Sequence, residues 1–228
     1  ELFFMSNKRF LICVFSLLAV FALVLTSCAV TPVTEQSKEQ SAQQNGTESA
    51  LESEVSVSPE EVLASAALTI ENGGEKLIDK EISGTVVINT KESLTLVLKN
   101  ATVKSDNGPA IYVLNSKDLT IKLEGNSTLT DGASYATAFA GAKGALFSED
   151  DLLISGSGSL TVTGNYAHGL VCDDGITVES GEITVVSAVK DAVHANDLVK
   201  ISGGSLTVQQ ASGDGIHCEA NVEISGGK

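Results

Sequence analysis

The sequence predicts an all-β fold, a single-stranded parallel β-helix (solenoid) with about 23 residues per coil, preceded by a signal peptide and a flexible linker. Three observations carry this. Gly158, Gly181, Gly204 and Gly227 are each spaced by 23 residues, and the strings GSLTV, GEITV and GSLTV follow the first three. A second frame keeps the same period, because HGLVCDD from His168, DAVHAND from Asp191 and DGIHCEA from Asp214 are offset by 23 as well. Each repeat holds short alternating apolar runs broken by Gly, Asn, Asp and Ser, with almost no helix-period pattern, so the repeats stack by parallel pairing, one coil per repeat. A leucine-rich repeat does not fit, since its leucine consensus and its helical or 3₁₀ segment are missing.

In chain order, residues 1–27 are expected to be a signal peptide. Lys8 and Arg9 precede an apolar run, LICVFSLLAVFALVL, and a small-residue end. Leu25-Thr26-Ser27-Cys28 resembles a bacterial lipobox, which would make Cys28 the lipidated first residue of an exported protein, anchored to the cell membrane and facing outside. Residues 1–4 precede the first methionine and look like upstream read-through. Residues 28–60 then form the lipidated cysteine and a disordered linker, rich in Gln, Ser, Thr and Glu, with too little apolar surface to offset the entropy of ordering. At its end, Ser58-Pro59-Glu60-Glu61 reads as an N-cap, a proline at the first helical position and a capping-box glutamate, so a short helix starts there.

Residues 61–228 are the β-helix. Towards the N-terminus the spacing widens: GALFSED from Gly144 lies 24 residues before HGLVCDD, and PAIYVLN from Pro109 a further 35 before that, which places an inserted loop at Asp131 to Gly144. Two inward columns follow from the alignment, Ile111, Leu146, Leu170, Val193, Ile216 and Leu160, Ile183, Leu206. Cys172 and Cys218 share a column with Ala195 between them. Two coils separate their Cα atoms by roughly 9.6 Å, beyond the reach of a disulfide, so both are expected to be buried thiols. VEISGGK closes the sequence without a capping element, as a fragment of a longer protein would.

Composition excludes one partner class. There are 14 Lys+Arg against 29 Asp+Glu, net charge −15, and Arg9 is the sole arginine, so no clustered cations neutralise phosphates and no nucleic acid is expected as a partner.

At LTLVLKNATV from Leu94, NGPAIYV from Asn107, GALFSEDDLLISGSGSLTV from Gly144, KDAVHAND from Lys190 and SGDGIHCEA from Ser212, the chain resembles the bacterial carbohydrate-binding domain-containing β-helix proteins, from about Lys76 to the end. The resemblance implies a right-handed, pectate-lyase-like parallel β-helix that binds calcium, cellulose and acidic pectic sugars without cleaving them. The chain departs from the family in ATAFAGAKG after Asp131, where relatives are often acidic.

Among groups that carry chemistry, Asp191 and Asp214 are equivalent positions of successive coils, about 4.8 Å apart, where like charges call for a proton or a cation. Asp173, Asp174, Asp197 and Glu219, with Asn196, form a second acidic column at the other end of the same short strand. Oxygen ligands of this kind suit Ca²⁺, whereas the plain reading makes them turn residues at coil corners. His194 and His217 face outward, and their column continues through Val171, Phe147 and Tyr112. This stripe is either a sugar-stacking strip or a surface covered by the linker or by the loop after Asp131. A zinc site of the two histidines and a nearby aspartate is a minor alternative, because neighbouring coils hold the rings too parallel to converge easily. Lys190 beside Asp191 is the one candidate for a lyase base. The expected function is non-catalytic binding of plant cell-wall polysaccharide at the cell surface, assisted by calcium. A calcium-dependent pectate lyase and a structural or adhesive surface protein are the alternatives.

Overall fold

The computed structural model describes residues 57–228. The expected signal peptide, the expected lipidation site Cys28 and most of the expected linker lie outside the described residues. The chain enters through one helical turn, α1 (Pro59–Ala64), closed by the expected capping box. The Ser58 hydroxyl accepts the Glu61 N–H, while the Glu61 carboxylate accepts the Ser58 N–H at 3.1 Å.

The rest winds into three parallel sheets that the chain visits in turn, coil after coil, with seven, seven and six strands. The first sheet holds Leu68–Ile70, Val86–Asn89, Ile111–Asn115, Gly144–Ser148, His168–Cys172, Val193–Ala195 and Ile216–Cys218. Alternation decides which face of each strand is buried: in Leu119–Glu124, Leu119, Ile121 and Leu123 point into the core while Thr120, Lys122 and Glu124 do not. The predicted columns are rungs of the ladder. Ile111 pairs with Leu146, Leu146 with Leu170, Leu170 with Val193 and Val193 with Ile216. Leu160, Ile183 and Leu206 do the same in the third sheet. Each fully buried aliphatic side chain contributes about 1.5–3 kcal/mol, so these columns are the main source of stability.

Cys172 and Cys218 flank Ala195 in the first sheet, and both are free thiols; Cys172 is buried as expected, but Cys218, in the last described coil, is only partly so. The repeating glycines serve the corners. Gly181, Gly204 and Gly227 have φ of 95°, 70° and 82°, a region costly for residues with a Cβ; in the coil before them Gly156, two residues ahead of Gly158, takes this role at 113°.

The insert after Thr130 folds back over the first sheet. It contains a 3₁₀ turn, Thr137–Phe139, and is tied down where Ala136 N–H meets the Asn107 carbonyl at 2.8 Å and Gly132 N–H the Gly108 carbonyl at 3.1 Å. Gly108 is required by this return: a Cβ there would stand 2.5 Å from the Phe139 ring.

Candidate functional site

The outward face of the first sheet carries the predicted stripe in register, Tyr112 beside Phe147, Phe147 beside Val171, Val171 beside His194, and His194 beside His217. Its upper half is roofed. Val62 of α1 and Phe139 and Ala142 of the insert pack on Tyr112, Phe147 and Val171, leaving Tyr112 5% and Phe147 3% exposed. Tyr112 meets Phe139 and Phe147 edge to face, with ring centroids 6.3 and 5.2 Å apart. Its hydroxyl donates to Glu149 at 2.9 Å, and burial together with that carboxylate raises its pKa far above the usual tyrosine value. This corrects the sugar-stacking expectation for these two residues: Tyr112 and Phe147 are packing residues, and neither presents a ring face to solvent. Which half is roofed depends on where the insert lands.

The lower half is open. The His194 and His217 rings stack in parallel, 4.9 Å apart and 1° from coplanar orientation, so they do not converge on one ion. Each is anchored three residues back, His194 Nδ1 to Asp191 Oδ2 and His217 Nδ1 to Asp214 Oδ2, both at 3.3 Å. Asp191 and Asp214 do stack, but their charges are not left facing each other. The Asp214 N–H donates to Asp191 Oδ1 at 2.7 Å. Burial alone would raise the Asp191 pKa; the Asp214 N–H, His194 and His168 outweigh it and hold the carboxyl below its ordinary range.

His168 was not among the expected site residues. It occupies the Asp191 and Asp214 position one coil earlier, is buried, and its Nδ1 lies 3.2 Å from Asp191 Oδ2. Burial, and then the neighbouring His194, push it down to about 4, so it is neutral near pH 7. The signal available in the sequence was a histidine above the first aspartate of two successive Asp-x-x-His strings. Among the described residues, His168, Asp191 and His194 are the group of metal-ligating side chains whose ligand atoms all converge, within 4.8 Å of one another. Two neighbours of Asp191 are thus imidazole nitrogens, where the sequence pointed to oxygen ligands alone.

Asp173, Asp174, Asp197 and Glu219 line the following corner, tied coil to coil by backbone bonds such as Asp197 N–H to the Asp174 carbonyl at 3.0 Å. No three of them are gathered around one point as His168, Asp191 and His194 are.

The opposite corner is cationic. His168 N–H bonds the Lys143 carbonyl at 2.9 Å and Lys190 N–H the Ala167 carbonyl at 2.7 Å, which sets Lys143, Ala167 and Lys190 at one corner of three successive coils. Both lysine side chains are exposed. Beside them Tyr166 is 40% exposed and stacks on Tyr135, centroids 4.1 Å apart. Tyr135 is fixed by donating its hydroxyl to buried Asp131 at 2.6 Å, and Asp131 also accepts backbone N–H groups of Asn165 and Tyr166. The corner thus holds a partly exposed aromatic ring on the coil between two that carry exposed lysines, a combination that suits an anionic ring-shaped ligand.

The family described as carbohydrate-binding domain-containing protein matches residues 64–228. No curated protein matches the chain. Among solved structures, a polysaccharide lyase-like protein from C. thermocellum, solved as a gadolinium derivative, superposes with a TM-score of 0.56 at 18% identity, covering 70% of this chain and 89% of that one. At this identity the likeness speaks for the fold alone.

Proposed function

We propose that this chain, which belongs to the carbohydrate-binding domain-containing family, binds an acidic polysaccharide at the outer surface of a bacterial cell and does not cleave it. The observation that carries this reading is the family match across residues 64–228, which spans every described strand. The cationic corner supports an acidic rather than a neutral sugar. Tyr166 provides a ring face, and Lys143 and Lys190, two coils or roughly 9.6 Å apart, provide charge for carboxylates on either side. A net charge of −15 opposes a polyanion elsewhere on the surface. Calcium bridging resolves that conflict: Asp173, Asp174, Asp197 and Glu219 supply part of an oxygen shell, and the polymer's carboxylates supply the rest. The carboxyl groups of this corner are spread over successive coils, which suits a shared shell better than a closed protein cage. Anchoring through Cys28, behind the apolar run, places the binder on the membrane exterior.

Depletion of the protein from solution by polygalacturonate and by cellulose, each with and without chelator, tests the reading. Polygalacturonate is expected to remove the protein in a chelator-sensitive way, and failure to bind either polymer overturns it. A lyase is the second reading, favoured by Lys190 at the cationic corner. Rising ultraviolet absorbance from pectate, lost in Lys190→Ala, would establish that alternative. Cys28→Ser should abolish fatty-acid labelling and release the protein to the medium.

A further inference from the structure

We propose that His168, Asp191 and His194 form a binding site for a divalent transition metal of the zinc class. Asp191 Oδ2 stands 3.2 Å from His168 Nδ1 and 3.3 Å from His194 Nδ1. Around an ion with bonds of about 2.0–2.1 Å, tetrahedral ligands are separated by roughly 3.3–3.4 Å. These two separations match that spacing and are long for a charge-assisted hydrogen bond, and the ligand nitrogens of the two rings lie within 4.8 Å of each other.

Hydrogen bonding fixes the carboxylate and leaves one bond for an ion to displace. The Asp191 N–H donates to His168 Nδ1 at 3.2 Å, so an ion bound at this nitrogen takes the place of that N–H. His168 Nδ1 and Asp191 Oδ2 face each other at 3.2 Å. Asp191 Oδ1 is already committed to the Asp214 N–H at 2.7 Å, which fixes the carboxylate with Oδ2 presented to the two rings. Unlike the parallel pair His194 and His217, the His168 and His194 rings are tilted by 41°, with centroids 4.7 Å apart.

Side-chain exposure rises from 7% at His168 through 14% at Asp191 to 21% at His194, so the group is dry at its base and open at its rim. Three protein ligands with a solvent-facing fourth position describe a zinc-type site, and two imidazoles with one carboxylate disfavour calcium. One coil on, His217 and Asp214 repeat the pair at 3.3 Å, but the residue above Asp214 is Asp191 rather than a histidine, and the second nitrogen is missing.

The proposal stands apart from polysaccharide binding and is tested with the metal alone. Calorimetric titration of the chelator-treated chain with zinc chloride is expected to give one site, and cobalt(II) in its place to develop visible absorption bands. His194→Ala, a change on a partly exposed side chain, should weaken zinc by about a hundredfold or more, beyond the usual effect of removing an outer-shell partner. Asp191→Asn should act in the same direction, whereas His217→Ala should leave affinity unchanged, and excess calcium should not displace zinc. Absence of stoichiometric uptake, uptake of equal affinity in His194→Ala, or displacement by calcium would overturn the assignment.

Discussion

Tyr112 and Phe147, on neighbouring coils, meet edge to face at 5.2 Å beneath Phe139, so the insert after Thr130 has an aromatic footprint prepared for it on the first sheet. Phe139 is 1% exposed. Phe139→Ala should cost about 3–5 kcal/mol, the usual range for deleting a buried ring. The check is chemical denaturation, and the insert should become the first site of proteolytic cleavage. An unchanged unfolding midpoint would mean that the roof is not packed.

Val193 lies between Leu170 and Ile216 in the central column and is 2% exposed. Val193→Asp places a carboxylate there without a partner, at a cost of about 3–5 kcal/mol. His194→Asp, one residue along and facing outward, should be far milder. The contrast between the two melting temperatures measures the inward and outward phase of this strand directly.

The 23-residue period made the ladders legible because in a parallel β-helix a sequence offset is a spatial register: Leu170 over Val193 and His194 beside His217 follow from counting alone. It did not reveal that Phe139 caps Tyr112, because the insert breaks the period and its landing place depends on tertiary packing and on the absence of a Cβ at Gly108. His168 escaped for a different reason. Counting compares residues within one column, and pairing His194 with His217 led to parallel rings, whereas the convergent geometry runs diagonally between two columns, from His168 through Asp191 to His194.

Ring exposure separates Tyr166, 40% exposed, from Tyr112, 5% exposed, and sets different expectations for the two places. Tyr166→Ala removes the open face at the cationic corner and should weaken polygalacturonate binding roughly threefold to tenfold, the equivalent of an aromatic contact of about 0.5–1.5 kcal/mol. Val87→Ala, beneath the roof, should lower stability and leave affinity unchanged at temperatures where the protein is folded. Affinity electrophoresis in gels containing the polymer distinguishes the two.

Cys172 is buried, and burial pushes its thiol up to about 12, whereas Cys218 is only partly covered. The thiolate is the reactive species. In a variant carrying Cys13→Ser and Cys28→Ser, a thiol-specific reagent should label Cys218 promptly and Cys172 only on unfolding. Equal rates for the two would show that the last described coils open freely.

Asp131 is 2% exposed and links the insert to the cationic corner by accepting from Tyr135, Asn165 and Tyr166. Burial raises its pKa above the ordinary carboxylate value, although the three donors pull the other way. A carboxyl whose folded pKa exceeds its unfolded one binds its proton more tightly when folded. Its contribution is therefore fully present below the unfolded pKa, near 3.9, and is lost as pH rises through the folded value. The protein should thus lose stability from this group just above the normal carboxylate range, against the gain that the other acids give as they ionise. Asp131→Asn cannot titrate, so the difference between the two proteins' unfolding free energies, followed from pH 4 upward, isolates the term. It should change in favour of the variant as pH rises and then level off. A difference that moves in favour of the parent would mean that the three donors outweigh burial and that Asp131 is held as a carboxylate throughout.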